Sequence, residues 1–298
     1  MTGDQLIRMG EAVARVWPDG ASEWEVLGGG ITNHNLKVTR RDGVFVLRVA
    51  GRNTEALGIV RRVELEATRA AASVGVGPDV FRFIEPEGWL VTGFIGGSTP
   101  SQELLREPAQ LVRVASALRA VHEGSPIPGR FHALEVVETY RDTALARGAT
   151  LPGAFASAHD TARRITRLRA RQEPRPCHND LLTANFIDGG DRLRIVDWEY
   201  AGMGDPYFDL ANFAINHELD ADGRALLLAA YLGEASEEGM AALELMRFMS
   251  DFREAMWAVV QGVVSDLDFD FAAYASRHFQ RMEQTAQDPG FQAALREA

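Results

Sequence analysis

The sequence predicts an α+β fold in two unequal parts. Residues 1–95 form a small N-terminal antiparallel sheet with one inserted helix, and residues 96–298 form a large, mainly helical C-terminal part. Three observations carry this division. Alternating apolar–polar runs cluster in the first hundred residues, and helical periodicity dominates from Ser101 onward. Between them, Ile95-Gly96-Gly97-Ser98 reads as a hinge.

The elements follow in order. An amphipathic helix covers about Asp4 to Trp17, and Trp24 to Leu27 is a strand running into Gly28-Gly29-Gly30. His34 to Thr39 and Val44 to Val49 are two strands joined at Asp42-Gly43, a hairpin signal. The inserted helix spans about Ala56 to Val74 and stops at Gly75 and Gly77-Pro78. Two short strands, Val80 to Ile84 and Trp89 to Phe94, flank the turn Pro86-Glu87-Gly88. Helices are then expected over Pro108 to His122, Val137 to Arg147, Ala154 to Arg171, Phe208 to His217, Arg224 to Leu232, Ser236 to Val264 and Phe271 to Gln287. A short hairpin, Phe186 to Asp188 and Arg192 to Val196 around Gly189-Gly190, interrupts them.

Composition sets outer bounds. A hydrophobic fraction of 46% and a charged fraction of 24% suit a globular protein able to bury a core. One cysteine, Cys177, excludes an intramolecular disulfide and fits a reducing compartment. Met1 to Gly10 lacks an apolar leader core, and no run approaches the length of a bilayer span, so a cytoplasmic protein without membrane attachment is expected. A net charge of −11 argues against a nucleic-acid partner and favours a cationic small substrate. No protein partner is predicted.

The chemistry concentrates in His178-Asn179-Asp180, followed by Asn185 and, at the end of a strand, Asp197. An acid, an amide and a second acid in this order suit phosphoryl transfer. The first accepts the proton of an acceptor hydroxyl, and the other two hold Mg²⁺ against a triphosphate. Singly, Asp and Asn are ordinary cap and turn residues; the ordered set is what points to a site. His178 reads as a scaffold hydrogen-bonder. Asp209, near the start of the helix after Asp205-Pro206, reads as structural support that caps the helix or receives N–H groups from the HND loop. A nucleophilic pairing of Cys177 with His178 is outweighed by the reading of a small buried thiol. No His, Cys, Asp and Glu group shows zinc spacing.

In the N-terminal part, Gly29 and Gly30 would let backbone N–H groups approach a triphosphate, with Thr32 or Asn33 adding donors. This is neither a P-loop nor a dinucleotide fingerprint, because a second strand follows. Arg48 shares a strand face with Val46, opposite Leu47 and Val49. A cation there needs a carboxylate or phosphate partner, and Glu64 and Glu66 on the next helix are the available carboxylates.

The segment HND…N followed by IVDWEYAGMGDPYFDLA resembles the aminoglycoside phosphotransferase and choline/ethanolamine kinase group. GGITNHNLKV, the VLRV strand with Arg in place of Lys, and REAMWAVVQ with DFDFAAYASRHF after it point to the choline/ethanolamine branch. The resemblance runs from about Trp24 to Phe279. It implies a bilobal protein-kinase-like fold, ATP and Mg²⁺, Asp180 as base, Asn185 and Asp197 as metal ligands, and Glu64 as the partner of Arg48. In choline kinases two tryptophans on the late helix enclose the trimethylammonium group. Trp257 falls at one of these positions, and Glu254 replaces the other, trading a cation–π wall for a carboxylate. The expectation is an ATP-dependent kinase for a cationic amino alcohol, choline or ethanolamine. The rivals are an aminoglycoside or sugar-type antibiotic phosphotransferase and a nucleotide-binding regulatory pseudokinase.

Overall fold

The computed structural model describes residues 3–20, 23–28, 33–51, 54–234, 236–265, 267 and 269–296. Helix α1 (Gly3–Val16) precedes β1 (Glu23–Leu27), β2 (Asn33–Arg40) and β3 (Gly43–Ala50); then come α2 (Arg61–Ser73), β4 (Val80–Ile84) and β5 (Trp89–Gly93). The five strands form one antiparallel sheet in the order β1-β2-β3-β5-β4. Alternation sorts its side chains. Leu36, Val38, Phe45, Leu47, Val49 and Val91 pack with Met9 and Val13 of α1, and with Trp17 just after it, into a core of their own. The other face turns Asn35, Val46, Arg48, Leu90 and Thr92 toward a cleft, as the expected pairing of Arg48 with Val46 requires.

The inserted helix begins later than Ala56. Thr54–Leu57 form a single 3-10 turn, Gly58 takes the left-handed φ of +77°, and Val60 is extended at φ −113° before α2 starts. Gly58 interrupts the helical hydrogen bonding, and that break sets the helix start at Arg61. Glu64, Leu65, Ala67, Thr68 and Ala71 are its buried residues.

The remainder is mostly helical: α3 (Gln102–Leu105), α4 (Pro108–His122), α5 (Ala133–Ala146) and α6 (Phe155–Leu168) precede the short strands β6 (Arg175–Cys177), β7 (Phe186–Asp188), β8 (Leu193–Ile195) and β9 (Gly202–Gly204). Then follow α7 (Pro206–Asn216), α8 (Ala221–Leu232), α9 (Glu237–Val264), α10 (Phe271–Gln287) and α11 (Pro289–Arg296). Side chains cap several of them, Asp205 on α7, Asp220 on α8, Ser236 on α9 and Asp270 on α10, each accepting a backbone N–H of its first turn. Helix α9 runs through the middle of the core, which draws on residues from Leu57 to Leu295. Among the described residues no helix is long and apolar enough to cross a membrane. The pairing of β6 with β9 was not expected, because three residues are too few for alternation and Gly-Met-Gly reads as a turn.

The joint at Ile95–Ser98 is stitched to the site hairpin. Ser98 and Asp188 exchange backbone hydrogen bonds of 3.2 and 2.9 Å, and Arg113 clasps the Asp188 carboxylate at 2.6 and 2.7 Å. That bidentate pair holds Asp188 down to about 2, with the Arg113 hydrogen bond as the main cause. Gly97 sits at φ +142°, and a Cβ there would lie 2.2 Å from the Asp188 carbonyl oxygen. Gly97→Ala is therefore expected to cost about 1–3 kcal/mol in strain and displaced backbone, measured by chemical denaturation. A variant as stable as the parent refutes the close approach.

Candidate active site

The HND loop leaves β6 and makes a turn that a polypeptide rarely adopts unaided, with Asn179 at φ +68°. Asn tolerates this conformation better than most residues. Fixed partners hold it there: Asp209 of α7, fully enclosed, accepts the N–H groups of His178 (2.8 Å) and Asn179 (2.7 Å). One turn on, Asn212 accepts the N–H of Leu181 at 2.6 Å. His122 of α4 places Nε2 3.0 Å from the second Asp209 oxygen. Burial alone would push the Asp209 carboxyl up; the hydrogen bond and charge of His122, with the two loop N–H groups, more than offset it and hold it below its ordinary value. The expected support role of Asp209 thus has a physical form, reception of the HND backbone.

His178 binds in two directions. Its Nε2 lies 3.0 Å from the Val196 carbonyl, next to Asp197, and its Nδ1 accepts the Asp180 N–H at 3.2 Å. Burial pushes the ring below its usual value, so it is a neutral brace between the two acidic residues. Cys177 is buried and its thiol pushed well up by that burial, which leaves no nucleophile. His122, Cys177 and Asp209 bring ligand atoms within 4.8 Å of one another, a cluster invisible to spacing because it comes from α4, β6 and α7. Asp209 and His122 spend the hydrogen-bonding atoms of this cluster on one another, on the loop and on Tyr231.

Three expected residues converge from one stretch. Asn185 donates its side-chain amide N–H to the Asp180 backbone carbonyl at 2.8 Å, and its backbone carbonyl accepts the Val196 N–H at 2.9 Å. Asp197 takes φ +67° and meets the Arg48 guanidinium at 3.1 Å. Arg48 also pairs with Glu64, whereas Glu66 pairs with Arg69 on the surface, so the choice between the two carboxylates falls to Glu64. Arg48, Glu64, Asn185 and Asp197 line one cavity of about 290 Å³ between the sheet and the hairpin. Gly28 also borders it; Gly29, Gly30 and Thr32 lie outside the described residues. The Asn33 amide donates to Glu199 at 2.8 Å, and its oxygen accepts from Arg61 at 3.1 Å.

Asp180 meets the Arg253 guanidinium at 3.3 Å. Burial raises its carboxyl to about 7; Arg253 opposes that rise, and Glu254, Asp197 and Glu199 add to it. Arg253 and Glu254, adjacent on α9, are bonded at 2.5 Å, and Tyr274 donates to the other Glu254 oxygen at 3.2 Å. Burial works against charge on both, yet each keeps its partner ionised, Arg253 being held up by Glu254 and Glu254 held down by Arg253. Trp257 donates its indole N–H to the Tyr200 hydroxyl at 3.0 Å and packs edge-on against Phe271 and Tyr274. The sequence reading missed Arg253, Glu199, Arg61 and Tyr200. A signal existed for the first: two adjacent charges, Arg253-Glu254, inside the apolar stretch Phe248 to Val260.

Four resemblances bear on this geometry. The profile of the phosphotransferase enzyme family matches residues 23–246. Protein LicA of Haemophilus influenzae is 26% identical over 262 residues, covering 83% of this chain and 75% of that protein. Ethanolamine kinase 2 of Rattus norvegicus is 28% identical over 283 residues, covering 84% and 72%. The crystal structure of a choline/ethanolamine kinase family protein from Mesorhizobium loti superposes with a TM-score of 0.85 at 29% identity, covering 98% of this chain and 99% of that one. The likeness to choline/ethanolamine kinases that the motifs carried holds over nearly the whole fold.

Asp209→Ala strands three donors around a closed space, and a loss on the order of 3–5 kcal/mol in denaturant unfolding is expected. Stability should also respond to acid. Unfolded histidines take up protons below about their ordinary value of 6.5, while folded His178 resists and folded His217 waits until about 4, so the imidazoles withdraw stability from pH 6.5 downward. Asp180, raised to about 7, opposes them over that range because its folded carboxyl takes up a proton first, and the share held by Asp209 goes below its ordinary value of 3.8. Asp180→Asn removes the opposing carboxyl, and a flat stability profile of that variant between pH 7 and 4 would remove this account of the buried histidines.

Proposed function

The chain belongs to the phosphotransferase enzyme family, and from that premise we propose an ATP-dependent kinase that phosphorylates the hydroxyl of a cationic amino alcohol, ethanolamine or choline. The observation that carries this is the convergence of Asp180, Asn185 and Asp197 from one folded stretch, with Asn185 and Asp197 lining the same cavity as the Arg48–Glu64 pair and Asn185 bonded to the Asp180 carbonyl. The named relative ethanolamine kinase 2 and the choline/ethanolamine kinase family structure support the acceptor class. The net charge of −11 suits a cation as well. In this reading residues 1–95 hold the nucleotide and residues 96–298 hold the base and the acceptor.

Each residue has a chemical task. Asp180, largely shielded from water, carries a carboxyl at about 7 and so exchanges a proton readily near neutrality. It accepts the acceptor's hydroxyl proton as that oxygen bonds to the γ-phosphorus and the bond to ADP breaks. Asn185 has committed its amide N–H to the Asp180 carbonyl, which leaves its oxygen, and Asp197 offers a carboxylate; both are hard oxygen donors that fit Mg²⁺. Mg²⁺ held by them would supply charge neutralisation for the phosphates. Arg48, fixed by Glu64 and Asp197, would face the triphosphate. Gly29, Gly30, Thr32 and Asn33 are assigned to the nucleotide on their sequence motif. Glu254 and Trp257 belong to the acceptor side, behind Asp180.

The deciding assay is ADP release across choline, ethanolamine, related amines and aminoglycosides; turnover confined to aminoglycosides would overturn the acceptor class, and nucleotide binding without ADP release would overturn the kinase. Asp180→Asn should cut kcat by about 10²–10⁴-fold with nucleotide affinity little changed. Retention of more than about half the activity removes Asp180 from the base role. Asp197→Ala should abolish Mg²⁺-dependent nucleotide binding, and Asn185→Ala should weaken it less; Mg²⁺ titrations unaltered in both variants reject the metal assignment.

A further inference from the structure

The Arg253–Glu254 pair lies among aromatic rings, and both residues are almost wholly enclosed, at 1% and 2% exposure. The guanidinium stacks 4.4 Å over the Tyr200 ring and bridges Glu254 at 2.5 Å and Asp180 at 3.3 Å. Tyr274 closes the far side of Glu254, and Trp257 holds Tyr200 by its hydroxyl. Tyr140, also buried, stands beside the guanidinium. An aromatic face with two carboxylates is the chemistry that retains a desolvated cation. Here the retained cation belongs to the chain.

We propose that Arg253 is a specificity-determining residue, a resident guanidinium that fills this aromatic and carboxylate box. A quaternary ammonium is thereby kept out, and the acceptor's amine is one that carries N–H donors. The inference rests on the reading of the chain as an amino-alcohol kinase and narrows it. A trimethylammonium group has no N–H and depends on ring faces and an unshared negative field, both of which Arg253 has taken. A primary or partly methylated ammonium needs only hydrogen-bond acceptors, and carboxylates that already accept one or two bonds have lone pairs left. A cavity of about 280 Å³ lined in part by Tyr140, Tyr200 and the carboxylate-bearing Glu199 adjoins the box and is the place where such an amine would be met.

Two measurements test this on the full chain. The first is kcat/KM for ethanolamine, its N-methyl and N,N-dimethyl derivatives and choline, in wild type and Arg253→Ala. The second is calorimetric binding of tetramethylammonium, which needs no turnover. Wild type should lose at least about tenfold in kcat/KM from ethanolamine to choline and should bind no tetramethylammonium. Arg253→Ala empties the box but leaves Glu254, and should bind tetramethylammonium while the choline-to-ethanolamine ratio rises at least about tenfold. Since Arg253→Ala leaves a buried carboxylate unpaired, Arg253→Ala/Glu254→Gln, which removes both charges, is the second variant if the first fails to fold. Tetramethylammonium bound more tightly by that variant than by wild type supports the proposal. Equal use of choline and ethanolamine by wild type overturns it. So does a folded variant with no gain in tetramethylammonium binding. If wild type phosphorylates no amino alcohol, the function reading has failed, and the binding arm still decides whether Arg253 occupies a cation box.

Discussion

Asp209 is enclosed on every side, and an enclosed carboxylate is tolerated only where donors meet its oxygens. Here the donors are the backbone N–H groups of His178 and Asn179, with His122 beside them. The carboxylate gains its stabilisation by dictating the path of the loop, and the loop gains a left-handed turn at Asn179 that it would not hold alone. Asp180, Asn185 and Asp197 inherit their positions from that bargain. His178 extends it by bridging to Val196, so the loop bearing Asp180 and the turn bearing Asp197 are braced against each other through one neutral imidazole.

Charge is distributed around the site in matched sets. Arg48 stands between Glu64 and Asp197, Arg61 between Glu64 and Glu199, and Arg253 between Asp180 and Glu254. Each arginine has a planar fork suited to two carboxylates at once, a geometry that a lysine would serve poorly. Two of these sets tie the sheet and its helix to the DWE segment. The third lies wholly within the helical part and reaches the site through Asp180. Cleft geometry and the ionisation of its acids are therefore coupled: to move one carboxylate is to unbalance an arginine shared with another.

How much of this was legible beforehand depended on range. Strand and helix periodicity placed α4 and α10 at their observed ends and α9 within one residue, because burial on one face leaves a local pattern. Asp180, Asn185 and Asp197 were legible as an ordered set, since all three sit within eighteen residues of one another. The start of α2 was misread because helix formers surround Gly58, and only its left-handed backbone shows the break. The β6–β9 pair escaped notice since its strands are three residues long and their paired residues Pro176 and Met203 lie 27 positions apart.

The sequence by itself determined the ordered set Asp180, Asn185 and Asp197 and which strand face Arg48 shares, because those follow from residue type and local period. Tertiary structure alone decided the pairings. Glu64 and not Glu66 meets Arg48, Asp209 meets the HND backbone 30 residues away, and Arg253 meets Asp180 across 73. Such contacts depend on how helices dock on the sheet and on one another, and a chain read in order contains no measure of that distance. The sequence showed Glu254 where a second aromatic wall was expected. Only packing revealed that the neighbouring arginine had turned inward to meet it, since a buried acid cannot remain charged without a cation at hand.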